Sequence, residues 1–285
     1  MIAFIRRQRW LVGVLLLAGC RDLVDPALPD TAVSLNVPAV YTTWWSMTEA
    51  CSGIHAPMSA IQWLEIPDVV SVPYPGRSDV QGYWSLASNR IVLAGNFAFD
   101  GALVRHEMLH ALLRRGGHPR DEFLGACAGV VDCNQSCIDD AGPAPAFDPT
   151  AVPVTDDDLD VAIAVAPAHP SAAVDDGFFT VTIRVTNPRA TPVVVTLPPT
   201  LNGTPVAFSY LVTGPRGGVG NATLALDSTT IEFAPHETKV QVFDFAVGDS
   251  LPLGAAFPIT LPAGTYVISG AYGGRWVSDT VMIGP

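Results

Sequence analysis

The sequence predicts an α+β domain followed by an all-β sandwich within 285 residues. Glycine and proline each occur 25 times, which suits short strands and turns better than long helices. Residues 33–140 mix strand and helix patterns, whereas short β-rich runs fill the chain after residue 156. The stretch between them, residues 141–155, is rich in proline and alanine, so we interpret it as a linker.

The first predicted domain, residues 33–140, carries both kinds of element. Alternating apolar and polar residues predict strands, and Asp100 can cap a helix that Gly116 and Gly117 would end. The predicted elements are a helix beginning within 44–51, strands at 60–66 and 89–94, the latter preceded by 82–84, and a helix over 101–115.

The second predicted domain, residues 156–285, contains eight short β-rich runs. Turn signals such as Asn187-Pro188, Gly214-Pro215 and Gly217-Gly218 separate several of them. This density of short strands is typical of a β-sandwich. The runs lie at 161–165, 179–186, 191–197, 206–213, 230–233, 240–245, 266–269 and 276–282.

Charge and hydropathy exclude two classes of function. The net charge is −12 and Lys239 is the only lysine, so the chain lacks the basic patches that nucleic-acid binding needs. The sequence has no apolar run of 18 or more residues, so we expect no membrane-spanning helix.

The N-terminus has the layout of an export signal. Residues 1–19 join a basic start to a short apolar stretch, and Leu17-Ala18-Gly19-Cys20 resembles the bacterial lipobox. That resemblance implies lipidation of Cys20, a tether over residues 20–32 and a lipid-anchored location in the bacterial cell envelope. Arg21 is not the aspartate that retains lipoproteins at the inner membrane, which favours the outer membrane. The alternative is an ordinary signal with an incidental cysteine.

Four further cysteines suit an exported domain with two disulfides. Three pairings are possible, and the sequence alone does not separate them. Cys133 and Cys137 are close enough to bridge locally, which would leave Cys51 to pair with Cys127. A zinc site made of these cysteines is the competing interpretation, but no CxxC pair is present.

One motif carries chemistry: His106, Glu107 and His110 form HExxH within the second predicted helix. Residues four apart share a helix face, so both imidazoles can bind one metal ion. The adjacent carboxylate can take a proton from water and pass it to a leaving amine. The flanking residues are mostly apolar, so the helix is predicted to be buried, where these polar groups need a partner such as a divalent cation. A chance motif and a pair of core histidines are the alternatives.

The motif resembles that of the zincin metallopeptidases, whose shared fold matches the length of residues 33–140. The resemblance implies Zn²⁺ bound by His106 and His110, Glu107 as general base, and an extended substrate pairing with the strand at 89–94. The metzincin pattern HExxHxxGxxH fails, because Leu113 and Gly116 stand where it needs glycine and histidine. We favour His118 as third ligand, because the two glycines can turn the chain back just before it. Its alternatives are the carboxylates that follow, Asp121 and Glu122.

The second half resembles bacterial immunoglobulin-like domains, in particular those similar to the intracellular proteinase inhibitor of bacilli. The resemblance lies in the strand–turn–strand order around Asn187-Pro188 and in Leu261 to Tyr266. It implies an immunoglobulin-like sandwich and does not by itself imply inhibition.

These observations predict a lipid-anchored zinc endopeptidase that acts on peptide or protein substrates and binds the membrane through its anchor. One alternative is a non-catalytic surface lipoprotein whose sandwich binds a protein partner and whose metal is structural. Another is that the second domain regulates a protease, including its own neighbour.

Overall fold

A computed structural model describes residues 25–133, 136–139, 148–171, 177–197, 206–214, 217–225, 230–247 and 259–285. The predicted signal segment and Cys20 lie outside the described residues, as do residues 141–147 of the predicted linker. The described chain is rich in strands and has few helices, which is compatible with the predicted sandwich.

A four-stranded sheet begins the molecule, with strands in the order β1-β2-β4-β3. Strands β2 and β4 are parallel, and the outer two strands run antiparallel to their neighbours. Strand β4 is therefore paired on both sides, so the expectation that residues 89–94 pair with substrate is wrong. Strand β3 is the edge strand at the side of the sheet opposite β1. The strands are β1 (Val33–Ser34), β2 (Gln62–Ile66), β3 (Gly82–Ser85) and β4 (Arg90–Ala94).

Two helices, α1 (Val40–Ser52) and α2 (Gly101–Leu113), pack against one face of this sheet. Four tryptophans contribute to the core between the helices and the sheet: Trp44, Trp45, Trp63 and Trp84. A short π-helical segment, Asp121–Ala126, follows α2.

Both ends of α2 are fixed by local hydrogen bonds. The side chain of Asp100 accepts from the Leu103 N–H, which confirms the predicted cap. The helix ends at Leu113, and Arg114 takes the left-handed conformation, with φ of 50°. The prediction that the glycines at 116 and 117 would supply this turn is wrong, and the helix is shorter by two residues.

The described residues of the second half form three sheets. Two of them, in the orders β13-β12-β7-β6 and β10-β9-β14-β15, enclose a common core that contains Phe179, Phe245 and Ile268. The third has the order β11-β8-β5. The strands are β5 (Val152–Val154), β6 (Asp160–Ala166), β7 (Phe178–Thr186), β8 (Val193–Thr196), β9 (Val206–Gly214), β10 (Gly217–Ala225), β11 (Thr230–Phe233), β12 (Thr238–Val247), β13 (Ile259–Leu261), β14 (Gly264–Tyr272) and β15 (Arg275–Ile283).

Three segments differ from the sequence-based expectation. Gly217 and Gly218 begin strand β10, which pairs antiparallel with β9. Val152–Val154, within the predicted linker, pairs in parallel with β8. The described end of the predicted tether contacts the first sheet, because Asp25 accepts hydrogen bonds from Ser85 and Ser88.

The two halves share a core and are not joined only through a linker. Phe178 and Ala246 pack with the tryptophans of the first half, and Val242 packs with Leu109 and Phe123. Disulfides join Cys51 to Cys127 and Cys133 to Cys137, so both bridges lie within the first half. Within the described residues, no helix has the length and apolar character needed to cross a membrane.

Candidate metal centre

Three histidine side chains converge at the C-terminal half of α2. The Nε2 atoms of His106 and His118 are 3.0 Å apart, and that of His110 lies 3.2 Å from each. Two of these residues are the histidines of the HExxH motif, and the third comes from the turn after α2. Asp121 and Glu122, the sequence-based alternatives, do not belong to this cluster.

Two of the three imidazoles have a backbone acceptor at their other ring nitrogen. The Nδ1 atom of His106 lies 2.6 Å from the Asp132 carbonyl oxygen, and that of His110 lies 2.8 Å from the Arg115 carbonyl oxygen. The Nδ1 atom of His118 is 3.6 Å from the Asp139 carboxylate. A proton on Nδ1 of His106 and of His110 satisfies the two carbonyl oxygens and leaves both Nε2 lone pairs directed toward the centre of the cluster.

Burial favours the neutral form of all three imidazoles. It lowers the pKa of His106 to about 4, with a further contribution from His118. It also holds the pKa of His110 well below its usual value. The pKa of His118 is lowered by burial too, although Asp139 opposes the shift. At neutral pH the rings therefore offer lone pairs and not positive charges.

This donor set fits a divalent cation. With the protons of His106 and His110 on Nδ1, their Nε2 atoms are acceptors only, and a cation between the three rings can bind all three Nε2 lone pairs. In a tetrahedral site with Zn–N bonds of about 2.0–2.1 Å, the nitrogens lie about 3.3–3.4 Å apart, close to the separations seen here. Hydrogen bonds from Nδ1 of His106 and His110 fix the orientation of these two rings, as partners of this kind do at known metal sites.

An aromatic ring supports the cluster from the π-helical segment. The ring of Phe123 is fully buried, and its centroid lies 5.0 Å from that of each of the three histidines. Phe123 thus restricts all three imidazoles at once. Its neighbour Cys127 anchors the segment to α1 through the disulfide to Cys51.

Glu107 lies beside the histidines with its carboxylate buried. The Trp84 backbone N–H on strand β3 donates to it, whereas its Oε2 atom has no hydrogen-bond partner among the described residues. Burial raises the pKa of Glu107 to about 8, against the opposing effect of the Trp84 hydrogen bond. The side chain is therefore poised to exchange a proton near neutral pH.

A glycine on strand β3 makes room for this carboxylate. A Cβ atom at Gly82 would lie 3.3 Å from Cγ of Glu107 and 2.9 Å from Cδ2 of Leu93. The absence of a side chain at this position lets α2 approach the edge strand closely.

The cluster opens into a cavity of about 360 Å³ that also contains Glu107. Arg77 and Asp79 lie at its border, as does the edge of strand β3. Tyr83 also lines this cavity, although its ring packs with Leu64 and Val92 on the sheet face away from the helices. The Tyr83 ring therefore packs in a different apolar cluster from the side chains of helix α2.

No protein-family model and no curated protein matches this chain. Among solved structures, alkylpurine DNA glycosylase AlkC of Pseudomonas fluorescens is similar at 9% identity and a TM-score of 0.29, over 45% of this chain and 31% of that one. A β-glucosidase of Erythrobacter marinus has 10% identity and a TM-score of 0.26, over 44% and 15%. The CARDB domain of the PF1109 protein of Pyrococcus furiosus has 16% identity and a TM-score of 0.25, over 44% and 92%.

This chain spans less than a third of the length of the first two structures. These likenesses are slight, so the interpretation of the site depends on its own geometry.

Several residues that shape the site carry no signal in the sequence. Asp139 and the carbonyls of Asp132 and Arg115 orient the histidines from loops without a recognisable motif. The only sequence signal at Phe123 is its position directly after Asp121 and Glu122, the two alternative candidates for the third ligand. Asp244, described below, comes from the second half of the chain.

Proposed function

We propose that this chain is a zinc-dependent endopeptidase. The observation that carries the proposal is the convergence of three neutral imidazoles next to a buried carboxylate, in one open cavity. The resemblance of the HExxH helix to that of the zincins supports the same reaction. Under this proposal the sheet and helices of residues 33–140 form a small zincin-like α+β domain, and the sandwich is immunoglobulin-like.

A zinc ion held by His106, His110 and His118 supplies a Lewis acid, which makes water more acidic and polarises a carbonyl group. Glu107 takes one proton from the attacking water as the oxygen bonds to the carbonyl carbon. It then delivers that proton to the amide nitrogen as the C–N bond breaks. The products are a carboxylic acid and an amine, so one water is consumed for each bond cleaved.

The number of protein ligands favours a hydrolytic site over a structural one. Catalytic zinc sites have three protein ligands and an open position, whereas structural sites have four. Within the described residues, the cluster consists of the three histidines alone. The adjoining cavity gives substrate a route to this position.

The location proposed for the enzyme is the outside of a bacterial cell, with Cys20 lipidated and anchored in a membrane. This part of the proposal depends on the sequence, because Cys20 lies outside the described residues. Labelling with a fatty acid tests it: wild type should incorporate label, and Cys20→Ser should not.

Metal analysis and peptide cleavage test the enzymatic proposal. We expect one zinc ion per chain and cleavage of a quenched peptide library. Glu107→Gln should retain zinc and lose about 10²-fold or more in kcat. His118→Ala should lose zinc, whereas His169→Ala, at an exposed histidine, should retain it.

Glu122→Gln is the matched control for Glu107→Gln, because this carboxylate lies outside the cluster. We expect it to cleave like wild type. Full zinc occupancy without cleavage of any peptide would overturn the enzymatic proposal and favour a binding protein with a structural metal. Absence of zinc from wild type would overturn the assignment of the three histidines as ligands. Loss of cleavage in Glu122→Gln but not in Glu107→Gln would overturn the assignment of Glu107 as general base.

A further inference from the structure

A second cavity, of about 600 Å³, adjoins the cavity of the histidine cluster. The two share part of their walls, including Tyr74, Trp84 and Gly116. Residues of strand β3 line both cavities, and the outer edge of this strand pairs with no other strand among the described residues. A peptide extended along this edge would therefore lie in both cavities.

The charged residues lining the second cavity are Arg114 and Arg115. Both are exposed, and neither forms a salt bridge within the described part of the chain. Buried Arg105, in contrast, is paired with a carboxylate. Two unpaired guanidinium groups are notable in a chain with 15 basic and 27 acidic residues.

The backbone of these two arginines is fixed relative to the metal ligand His110. The Arg114 N–H donates to the His110 carbonyl oxygen, and the Arg115 N–H is 3.3 Å from the same atom. The Arg115 carbonyl in turn accepts from the His110 ring at 2.8 Å. The positions from which the guanidinium groups extend are thus set by the same turn that orients a ligand.

We propose that Arg114 and Arg115 form a subsite for an acidic side chain of the peptide substrate. A guanidinium group binds a carboxylate through two parallel hydrogen bonds, which gives directional selection for aspartate or glutamate. The subsite lies one or more residues from the bond to be cleaved, because it is beside the cavity of the histidines and not within it. This inference rests on the proposed peptidase function and names its substrate class.

A purely structural role of the two arginines is the alternative that the experiment must distinguish from substrate binding. Positive charge at the C-terminus of a helix interacts favourably with the helix dipole. Such a role would change the stability of α2 but would not discriminate between peptides of different charge. Selectivity is therefore the quantity to measure.

The test uses the full-length zinc-loaded protein and pairs of quenched peptides that differ by one Glu→Gln change. Wild type should cleave the acidic member of a pair with about fivefold to tenfold higher kcat/KM at low salt. Added salt should reduce this ratio, because it screens exposed charges. In the double variant Arg114→Gln/Arg115→Gln the ratio should fall below about twofold.

Arg184→Gln is the matched control, since Arg184 is an exposed arginine on strand β7. Its selectivity ratio should equal that of wild type. Charge reversal provides a gain of function: Arg114→Glu/Arg115→Glu should favour peptides with lysine at the selected position. A preference that is absent from wild type, or unchanged in both double variants, overturns the subsite.

Binding distinguishes failure of the subsite from failure of the proposed function. The same peptides, fluorescently labelled, are titrated into zinc-loaded Glu107→Gln and followed by anisotropy. Tighter binding of the acidic peptide, lost with the arginines, supports the subsite even if wild type cleaves no peptide. Cleavage without charge preference leaves the peptidase proposal standing and overturns the subsite. If the protein shows no cleavage and no selective binding, both the peptidase proposal and the subsite are overturned.

Discussion

Asp244 on strand β12 pairs with Arg105, the residue immediately before His106 of the candidate metal centre. Both terminal nitrogens of Arg105 lie 3.1 Å from the Asp244 carboxylate oxygens. Its Nε donates to the Val130 carbonyl at 2.6 Å, and Asp244 also accepts from the Trp44 indole at 3.0 Å. The guanidinium group is fully buried. The second half of the chain therefore supplies a charge on which the metal-site helix depends.

Removing the carboxylate of this pair should strongly destabilise the fold. Asp244→Ala leaves the buried Arg105 charge without compensation, which costs about 3–5 kcal/mol of unfolding free energy. Urea denaturation followed by tryptophan fluorescence measures this change.

The control is the exposed pair of Arg189 and Asp158, whose side chains are 43% and 37% exposed. Arg189→Ala should cost at most about 1 kcal/mol. Equal effects of Asp244→Ala and Arg189→Ala would contradict the structural role assigned to Asp244.

The same pairing affects how regulation by the second half can be tested. A fragment that ends near residue 150 lacks Asp244, Val242 and Phe178, all of which pack with the first half. We expect such a fragment not to fold. An inhibitory role of the sandwich should therefore be tested with point variants of the whole chain.

Local patterns predicted much of what local forces determine. The start of helix α2 follows from the cap chemistry of Asp100, and all eight runs predicted in the second half coincide with strands. The convergence of His106 and His110 follows from the helical repeat. The two disulfides lie where the cysteine spacing allowed them.

Contacts between residues distant in sequence were not predictable in this way. The pairing of Arg105 with Asp244 joins residues 139 positions apart, and no local pattern marks either one. Gly217 and Gly218 are typical of turns, yet both belong to strand β10, because pairing with β9 is a contact that local composition does not reveal. The position of β3 at the sheet edge depends on the order of strands, which periodicity does not give.

Glu107 should make the stability of the metal-free protein depend on pH. Its pKa rises from 4.5 to about 8 on folding. Between these values the folded protein retains a proton that the unfolded chain releases, so stability falls as pH rises. Glu107→Gln has no such proton to lose. Its free energy of unfolding relative to wild type should therefore increase by about 1.4 kcal/mol for each unit by which pH rises across that window.

Denaturation of chelator-treated protein at several pH values measures this difference. Below about pH 4 the two proteins should show a constant difference, because Glu107 is protonated in both states. The control Glu122→Gln should stay within about 0.5 kcal/mol of wild type at each pH. A difference between Glu107→Gln and wild type that is independent of pH would contradict the buried state of the carboxylate.

Asp139 should strengthen metal binding through His118. Its carboxylate accepts from the His118 backbone N–H at 2.7 Å and lies 3.6 Å from Nδ1 of the same residue. Partners of this kind change metal affinity by about 10- to 100-fold. Because Asp139 is 64% exposed, we expect Asp139→Ala to weaken zinc binding by about tenfold, at the lower end of that range.

Competition with a fluorescent chelator measures the zinc dissociation constant. Asp279→Ala, on the distant strand β15, is the control and should bind zinc like wild type. Unchanged affinity in Asp139→Ala would show that the turn holds His118 without the carboxylate.

The close approach of α2 to strand β3 at Gly82 should matter more for catalysis than for metal binding. In Gly82→Ala the new methyl group lies 3.3 Å from Cγ of Glu107 and 2.9 Å from Cδ2 of Leu93, so both side chains must shift. We expect kcat to fall by about tenfold, because displacement of a general base by a fraction of an ångström disturbs proton transfer. Unfolding free energy should fall by about 1–2 kcal/mol.

Zinc affinity should remain within about twofold of wild type in this variant, because none of the three histidines contacts the new methyl group. Gly284→Ala is the matched control, since its nearest neighbour is at 3.5 Å, an ordinary contact distance. Steady-state kinetics and chelator competition on the same preparations separate the two effects. Loss of zinc in proportion to loss of kcat would mean that the helix as a whole moves, and that Gly82 does not act on Glu107 alone.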